Sequence, residues 1–159
     1  MDEWIKYGGR LHPGALKNYN NLMEKISFEK WLQWIENDRY EKTCPEGAVP
    51  QDLYFLVNIN NRIFGAITIR HYLNEKFQLN GGHFGVGIRP SERQKGYGSK
   101  IIQLGLKIAK INYKINKIIY TCDYDNIGSI KAFEKNGGIF LDEIIIENDR
   151  RIRRYKLDI

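Results

Sequence analysis

The sequence predicts a single α/β (α+β) domain, spanning residues 1–159, in which a mixed β-sheet is flanked by helices. The 159 residues are 42% hydrophobic, which suffices for one compact core but would be cramped for two domains. Apolar residues recur at helical spacing in the first third of the chain, and from about residue 50 strand-like segments alternate with helical ones. Strands and helices arranged in this order pack as layers of sheet and helix.

The first third is predicted to be helical, with Ser27 as the N-cap of its second helical segment. A loop over residues 43–50 follows that segment. The apolar positions that recur at the spacing of one buried helix face are Leu16, Tyr19, Leu22, Met23 and Ile26 before the cap, then Phe28, Trp31, Leu32 and Ile35 after it.

Three strands come next. Residues 53–58 and 63–72 form a predicted hairpin around Asn60-Asn61, and residues 83–88 form a third strand after a turn marked by Asn80-Gly81-Gly82. Pro90 ends this third strand because proline cannot continue the hydrogen-bonded ladder.

The remainder alternates helix and strand. A long helix is predicted next, and its apolar positions between Ile101 and Ala109 lie on one side. A strand of the buried type follows over residues 117–122. A short helix over residues 127–136 ends at Gly137-Gly138. Strands over residues 139–147 and 152–157 are joined by a turn at Asn148-Asp149.

Composition restricts the function classes. The net charge of +6 brings polyanions and phosphorylated ligands into consideration, but the basic cluster at residues 150–154 is more typical of a charged strand edge than of a nucleic-acid patch. Cys44 and Cys122 lack metal-ligand spacing, so we expect no metal. Neither a leader nor a membrane span is evident, which favours a cytoplasmic protein without a membrane partner.

A glycine-rich turn joins the third strand to the long helix. Amides at a helix start carry partial positive charge, and glycine lets a phosphate approach the backbone. The order Gly98-Ser99-Lys100 does not fit a Walker loop, and Pro90 occupies the third glycine position of a dinucleotide fingerprint that would begin at Gly85. The turn therefore predicts an anion site of another type.

The segment Arg93-Gln94-Lys95-Gly96-Tyr97-Gly98 resembles the pyrophosphate-binding signature of GNAT N-acetyltransferases. A second likeness lies downstream, where Asn126-Ile127-Gly128-Ser129 opens a helix that runs into residues 134–138. The resemblance covers about residues 50–159, the expected acetyl-CoA-binding core, and is nearest to a poorly characterised bacterial subgroup. Residues 1–48 would be a helical segment on the acceptor side. The family usually begins with a strand, whereas this chain begins at a helix, so an edge strand is either lost or built differently.

The resemblance implies a mostly antiparallel central sheet, acetyl-CoA as cosubstrate and an amine as acceptor. Whether the protein is a homodimer is left open. The strand over residues 83–88 would pair its main chain with the pantetheine arm, and its glycines leave a groove on one face. The residues implied in binding acetyl-CoA are Val86, Ile88, Arg93, Gln94, Lys95, Gly96, Tyr97, Gly98, Ser99, Asn126 and Ser129.

His83 stands where many family members carry a catalytic glutamate, and its imidazole is our candidate general base. The alternative, that His83 makes a local hydrogen bond at a strand start, is left open. His71 is expected to be structural, and Glu75 is a weaker candidate base.

The family often places a tyrosine, as general acid, where this chain has Phe133. That role is therefore vacant or moved. Tyr124 and Cys122 lie nearby, but both are expected to serve packing, and a covalent acyl-Cys122 route is disfavoured because no histidine is adjacent in sequence.

Two other functions compete with the transferase. Phe133 and the uncertain base motivate a catalytically silent CoA-binding or regulatory module. The net charge motivates a nucleic-acid-binding domain, although no RNA or DNA recognition motif is present.

Overall fold

The computed structural model describes residues 2–7 and 27–159. The helices in these ranges are α1 (Asp2–Tyr7), α2 (Phe28–Asn37), α3 (Glu75–Leu79), α4 (Tyr97–Tyr113) and α5 (Ile127–Glu134), with 3₁₀ turns at Pro90–Glu92 and Glu147–Asp149. The strands are β1 (Gln51–Val57), β2 (Ile63–Arg70), β3 (Phe84–Ile88), β4 (Lys117–Asp123), β5 (Ile139–Ile146) and β6 (Arg150–Asp158). The predicted α+β fold with antiparallel strands and flanking helices is confirmed.

The six strands form two antiparallel sheets. The first has the order β1-β2-β3, with Ile67 opposite Val86 and Ile69 opposite Phe84. The second has the order β4-β6-β5, so the last strand of the chain lies between the two that precede it. Helix α4 carries the chain from the first sheet to the second and packs on β2 and β3.

The two sheets meet at the start of β3. The His83 amide donates to the Ile119 carbonyl on β4 (2.8 Å), and the Ile119 amide donates to His83 Nδ1 (3.0 Å). Gly82 permits this approach, since a Cβ at that position would lie 2.4 Å from the Ile119 oxygen. Beyond the junction β3 and β4 belong to separate sheets, and a cavity opens between them.

A continuous core fills the space between the sheets and α4 and α5. Its fully buried side chains include Ile67 and Ile69 on β2, Ile101 and Ile102 on α4, Ile118 on β4, Phe133 on α5 and Tyr155 on β6. Because α4 and α5 share this core, the positions of both helix starts relative to β3 are fixed.

Most predicted elements are confirmed, including the Ser27 cap, whose Oγ accepts the Lys30 amide at 3.4 Å. The expectation that the α2 apolar face is buried as a whole is wrong, because Trp31 is buried whereas Phe28 and Leu32 are 54% and 46% exposed. The second predicted strand ends two residues early, at Arg70, and helix α3 lies between its end and the turn at residues 80–82.

Other predictions concern the front of the chain. Residues 2–7 are helical, so they do not supply the edge strand that the family resemblance led us to look for. The helical periodicity predicted over Leu16, Tyr19, Leu22, Met23 and Ile26 lies outside the described residues.

Candidate active site

The turn before α4 presents unpaired backbone donors. Gln94 and Gly96 adopt left-handed conformations, with φ of 61° and 84°, and Gly96 caps the helix without any side-chain hydrogen bond. The amides of Tyr97, Gly98 and Ser99 occupy the first turn, where no intrahelical acceptor exists. These donors, at the positive end of a 17-residue helix, form an anion-binding surface.

Neighbouring side chains hold this turn in place. The buried Glu92 carboxylate accepts from Arg62 Nη2 (2.7 Å) and from Lys95 Nζ (3.1 Å). The Tyr97 ring packs against Phe64, with centroids 4.6 Å apart. Lys95 and Tyr97 were both implied in cofactor binding, but the structure places neither in the wall of the cavity described below.

Helix α1 lies against the same turn. The Glu3 carboxylate accepts the Ser91 amide at 2.6 Å, and the Arg93 guanidinium lies 4.5 Å from the Tyr7 ring centroid. Arg93 Nε also donates to the Ile88 carbonyl (3.2 Å), which draws this side chain over the end of β3.

Helix α5 is fastened to the start of α4. A Cβ on Gly98 would lie 3.5 Å from the Ala132 Cβ, so the two helices approach closely there. Asn136 Nδ2 donates to the carbonyl and the hydroxyl of Ser99, both at 3.1 Å. At the other end of α5, Asn126 Oδ1 accepts the Ser129 amide at 3.1 Å. The two segments that resemble the family signature are thus joined in space.

A cavity of about 790 Å³ lies between β3, the turn and α5. That volume is within the range of small-molecule and cofactor sites. Of the residues that the resemblance implies in acetyl-CoA binding, those that line it are Val86, Ile88, Arg93, Gln94, Gly96, Gly98, Ser99, Asn126 and Ser129.

Two lysines in this wall were missed by the sequence analysis. Lys131 and Lys135 line the cavity from α5 and add positive charge on the side facing the turn, while Asp123 and Asp125 lie in the wall at the end of β4. Lys131 and Lys135 are four residues apart, so they lie on one face of α5, and Lys131 follows Ser129 by two residues. This spacing was a signal in the sequence that could have revealed the two lysines.

Tyr120 was also missed. It is 3% exposed, lines the cavity from β4, and its hydroxyl lies 2.6 Å from Ser129 Oγ. The ring of Phe133 stacks behind it, with centroids 4.5 Å apart and planes inclined by 10°. Burial raises the pKa of the Tyr120 phenol above its usual range, so the group is protonated at neutral pH.

His83 lies at the junction of the sheets. The ring is buried, and burial lowers the pKa of His83 from 6.5 to about 4. Nδ1 already accepts the Ile119 amide, so the neutral ring carries its proton on Nε2. His83 borders a second cleft, of about 440 Å³, rather than the main cavity. The local hydrogen bond is therefore present, and the role as general base stays a prediction.

The remaining candidates lie elsewhere. Burial raises the pKa of the Cys122 thiol to about 12, so an acyl-Cys122 route lacks a thiolate nucleophile. Tyr124 is 41% exposed beneath the Arg151 guanidinium, and Glu75 is an exposed residue in the first turn of α3.

His71 belongs to a polar cluster at the far end of α4. The Asp52 carboxylate accepts from Arg39 Nε (2.6 Å), from the Tyr113 hydroxyl and from His71 Nε2 (2.9 Å). The hydroxyls of Tyr54 and Tyr113 lie 2.6 Å apart. Burial alone would raise the pKa of Asp52, but the hydrogen bonds from Tyr113, His71 and Arg39 outweigh it and lower that pKa. This is the structural role expected for His71.

The basic cluster near the C-terminus is matched by carboxylates. Arg154 makes two hydrogen bonds to Asp142 (2.7 and 2.6 Å), Arg151 and Arg153 share Glu143, and Arg150 pairs with Asp123. The charge is thus largely compensated within the second sheet. The expected position at a strand edge is wrong, because β6 is paired on both sides, with β4 and with β5.

A known protein family covers most of the chain. The model of the acetyltransferase (GNAT) family matches residues 19–138, which is 120 of 159 residues. No curated protein matches the chain.

Solved structures share the fold. The chain is similar to the spermidine N-acetyltransferase from Vibrio cholerae in complex with CoA and spermine, with 14% identity, a TM-score of 0.63, and coverage of 94% of this chain and 93% of that one. It is also similar to a putative phosphinothricin N-acetyltransferase, with 21% identity, a TM-score of 0.59, and coverage of 91% and 89%. Within the described residues, no helix is both long and apolar enough to span a membrane.

Proposed function

Because the chain belongs to the acetyltransferase (GNAT) family, we propose that it transfers an acetyl group from acetyl-CoA to the primary amine of a small molecule or peptide, by direct attack of the amine. The observation that carries the proposal is that two sequence segments about 30 residues apart line one cavity. One of them offers backbone amides without acceptors.

The phosphates of acetyl-CoA would bind at the start of α4. The amides of Tyr97, Gly98 and Ser99 point out of the helix, and an added Cβ on Gly96 would meet no atom within 4 Å, so the backbone is open on that side. Arg93, Lys131 and Lys135 contribute full charges around the same cavity. Donors of this kind are what a diphosphate requires.

The pantetheine arm would lie along β3. Val86 and Ile88 line the cavity at the edge of the first sheet, where β3 has β2 on one side only. An edge strand leaves amides and carbonyls free for an extended amide-containing ligand. The thioester would then reach toward the junction of the two sheets, near His83.

The reaction forms a nitrogen–carbon bond, breaks the carbon–sulfur bond and releases CoA as a thiol. The protein contributes by holding the thioester in one orientation and by excluding water from the cleft. His83 is retained as the proposed base. In the neutral ring Nε2 carries the proton and Nδ1 accepts the Ile119 amide, so Nδ1 must release that amide when it takes up the proton of the amine.

The acceptor is an amine of unassigned identity. A first panel follows from the structural neighbours, whose names specify spermidine and phosphinothricin as their substrates. Amino acids and peptide N-termini complete the panel.

The experiment combines calorimetric binding of CoA with an assay of CoA release from acetyl-CoA over this panel. We expect CoA to bind with a micromolar dissociation constant and one amine class to raise CoA release at least tenfold over hydrolysis. Binding without release by any amine would leave the silent CoA-binding module. No binding of CoA at all would exclude both.

A further inference from the structure

Tyr120 lines the cavity from β4. It follows Ile119, the residue of β4 that is bonded to His83, so it lies beside the junction of the sheets and level with the start of β3. From Ile88 to Phe84 the strand rises roughly 13 Å at about 3.3 Å per residue. A ligand whose phosphates bind the start of α4 and whose arm follows β3 would therefore end near Tyr120.

The Tyr120 side chain is fixed in position. Phe133 stacks flat on its ring, and Ser129 Oγ holds its hydroxyl at 2.6 Å. Phe133 is fully buried and has no hydroxyl to offer. The third aromatic of this stack, Tyr155, directs its hydroxyl to Glu134 Oε1 (3.3 Å) and does not line the cavity. Among these three rings, Tyr120 alone brings a polar group to the cavity wall.

We propose that the Tyr120 hydroxyl donates a hydrogen bond to the sulfur of CoA and stabilises the negative charge that develops there as the thioester breaks. This inference rests on the proposed function. When the carbon–sulfur bond breaks, its electron pair moves to sulfur, and the proton that completes the thiol comes from solvent. Tyr120 keeps its own proton and acts as a positioned dipole.

The hydrogen bond between Tyr120 and Ser129 is compatible with this role of the Tyr120 hydroxyl as a donor. When Ser129 donates to the phenol oxygen, the Tyr120 proton is free to point into the cavity. The raised pKa keeps the phenol in its donor form over the whole working pH range. Phe133, which occupies the usual place of the family tyrosine, thus serves as the platform on which a phenol from β4 is stacked.

The test measures four affinities, those of CoA and of desulfo-CoA for the wild type and for Tyr120→Phe. It is run at pH 9, where a thiol is partly ionised. We expect the wild type to bind CoA about fivefold or more tighter than desulfo-CoA, and Tyr120→Phe to abolish this preference without changing the affinity for desulfo-CoA. Tyr155→Phe, which removes a buried hydroxyl outside the cavity, is the matched control and should keep the preference.

A kinetic arm uses the amine found by the release assay. Tyr120→Phe should lower kcat roughly 10- to 100-fold with a change of less than about twofold in the KM for acetyl-CoA, because the bond strengthens only as charge develops. Equal losses for CoA and desulfo-CoA, or an unchanged preference, would overturn the assignment of Tyr120 while leaving the proposed transferase intact. If CoA is bound but no amine is acetylated, the proposed function fails while the four affinities still decide whether Tyr120 contacts the sulfur.

Discussion

The two ends of helix α4 both carry polar groups, but those groups are used in opposite ways. At its start, the amides of Tyr97, Gly98 and Ser99 have no acceptor within the helix and no capping side chain. Near its end, Asp52 accepts from three side chains, and its partner Tyr113 also contacts Tyr54. Polar groups whose donors and acceptors are matched internally stabilise the fold, whereas a row of unmatched donors beside a cavity is a site for a ligand. Substitutions at the two ends should therefore affect different measurements.

The largest effect is expected at the matched end. Asp52→Ala should lower the free energy of unfolding by about 3 kcal/mol, because it leaves the partly buried His71 and Tyr113 without their shared acceptor and also removes the partner of the more exposed Arg39. Chemical denaturation measures this loss, and the affinity for CoA should stay within about twofold.

The matched control for Asp52 is Asp142→Ala. Asp142 also pairs with an arginine, but its side chain is 43% exposed, so the loss should be under about 1 kcal/mol. Similar losses for the two variants would mean that the Asp52 cluster is not the stabilising network described.

The junction between the two sheets, where His83 is buried, should make the stability of the protein depend on pH. The unfolded chain binds a proton at His83 below pH 6.5, whereas the folded protein does so only near pH 4. Because the pKa of His83 is lower in the folded protein than in the unfolded chain, the free energy of unfolding decreases as the pH falls from 6.5 toward 4. This amounts to about 2 kcal/mol between pH 6.5 and 5, at about 1.4 kcal/mol per pH unit.

His83→Asn distinguishes the two roles of His83, its hydrogen bond at the junction and its proposed role as the base. The asparagine Oδ1 can accept the Ile119 amide in place of Nδ1, but it does not titrate. We expect the variant to lose the pH-dependent destabilisation and, because His83 is the proposed base, to lower kcat at least tenfold with stability at pH 7.5 unchanged. Turnover within about threefold of the wild type would remove His83 as the base and leave it only the local hydrogen bond to Ile119.

Substitutions at the start of α4 should weaken CoA binding more than they lower stability. Gly96→Val forces a β-branched residue to a φ of 84° and places its side chain in the open space before the cavity. We expect the affinity for CoA to fall at least tenfold, as measured by calorimetry.

Gly47→Val provides the control for backbone strain alone. Gly47 has a similar φ, 74°, and its Cβ would also meet nothing within 4 Å, but it lies in the loop before β1, away from the cavity. Both variants should lose similar stability, and only Gly96→Val should weaken CoA binding.

What the sequence could predict follows from how far apart the interacting residues lie in the chain. The strand–turn–helix over residues 83–113 was predictable because the glycines, the proline and the helix start are local signals. The bond between His83 and Ile119 joins residues 36 positions apart, and the stack of Tyr120 on Phe133 depends on which face of β4 meets α5. Neither contact is encoded in a short motif. The Asp52 cluster, spanning residues 39 to 113, was inaccessible for the same reason.

The smallest effect separates two lysines near the start of α4 that the sequence alone would rank in the opposite order. Lys95 lies inside the signature, but its ammonium pairs with the buried Glu92, whereas Lys131 lies outside the signature and lines the cavity. Lys131→Ala should weaken CoA binding about fivefold at low salt and less at high salt, since a solvent-exposed charge facing phosphate is screened. Lys95→Ala should change the affinity by less than about twofold, because the ammonium it removes is already matched by a carboxylate. Calorimetric titrations of both variants at two salt concentrations measure the difference. A larger loss for Lys95→Ala would mean that Lys95 leaves Glu92 to bind the ligand, so that the turn is rearranged on binding.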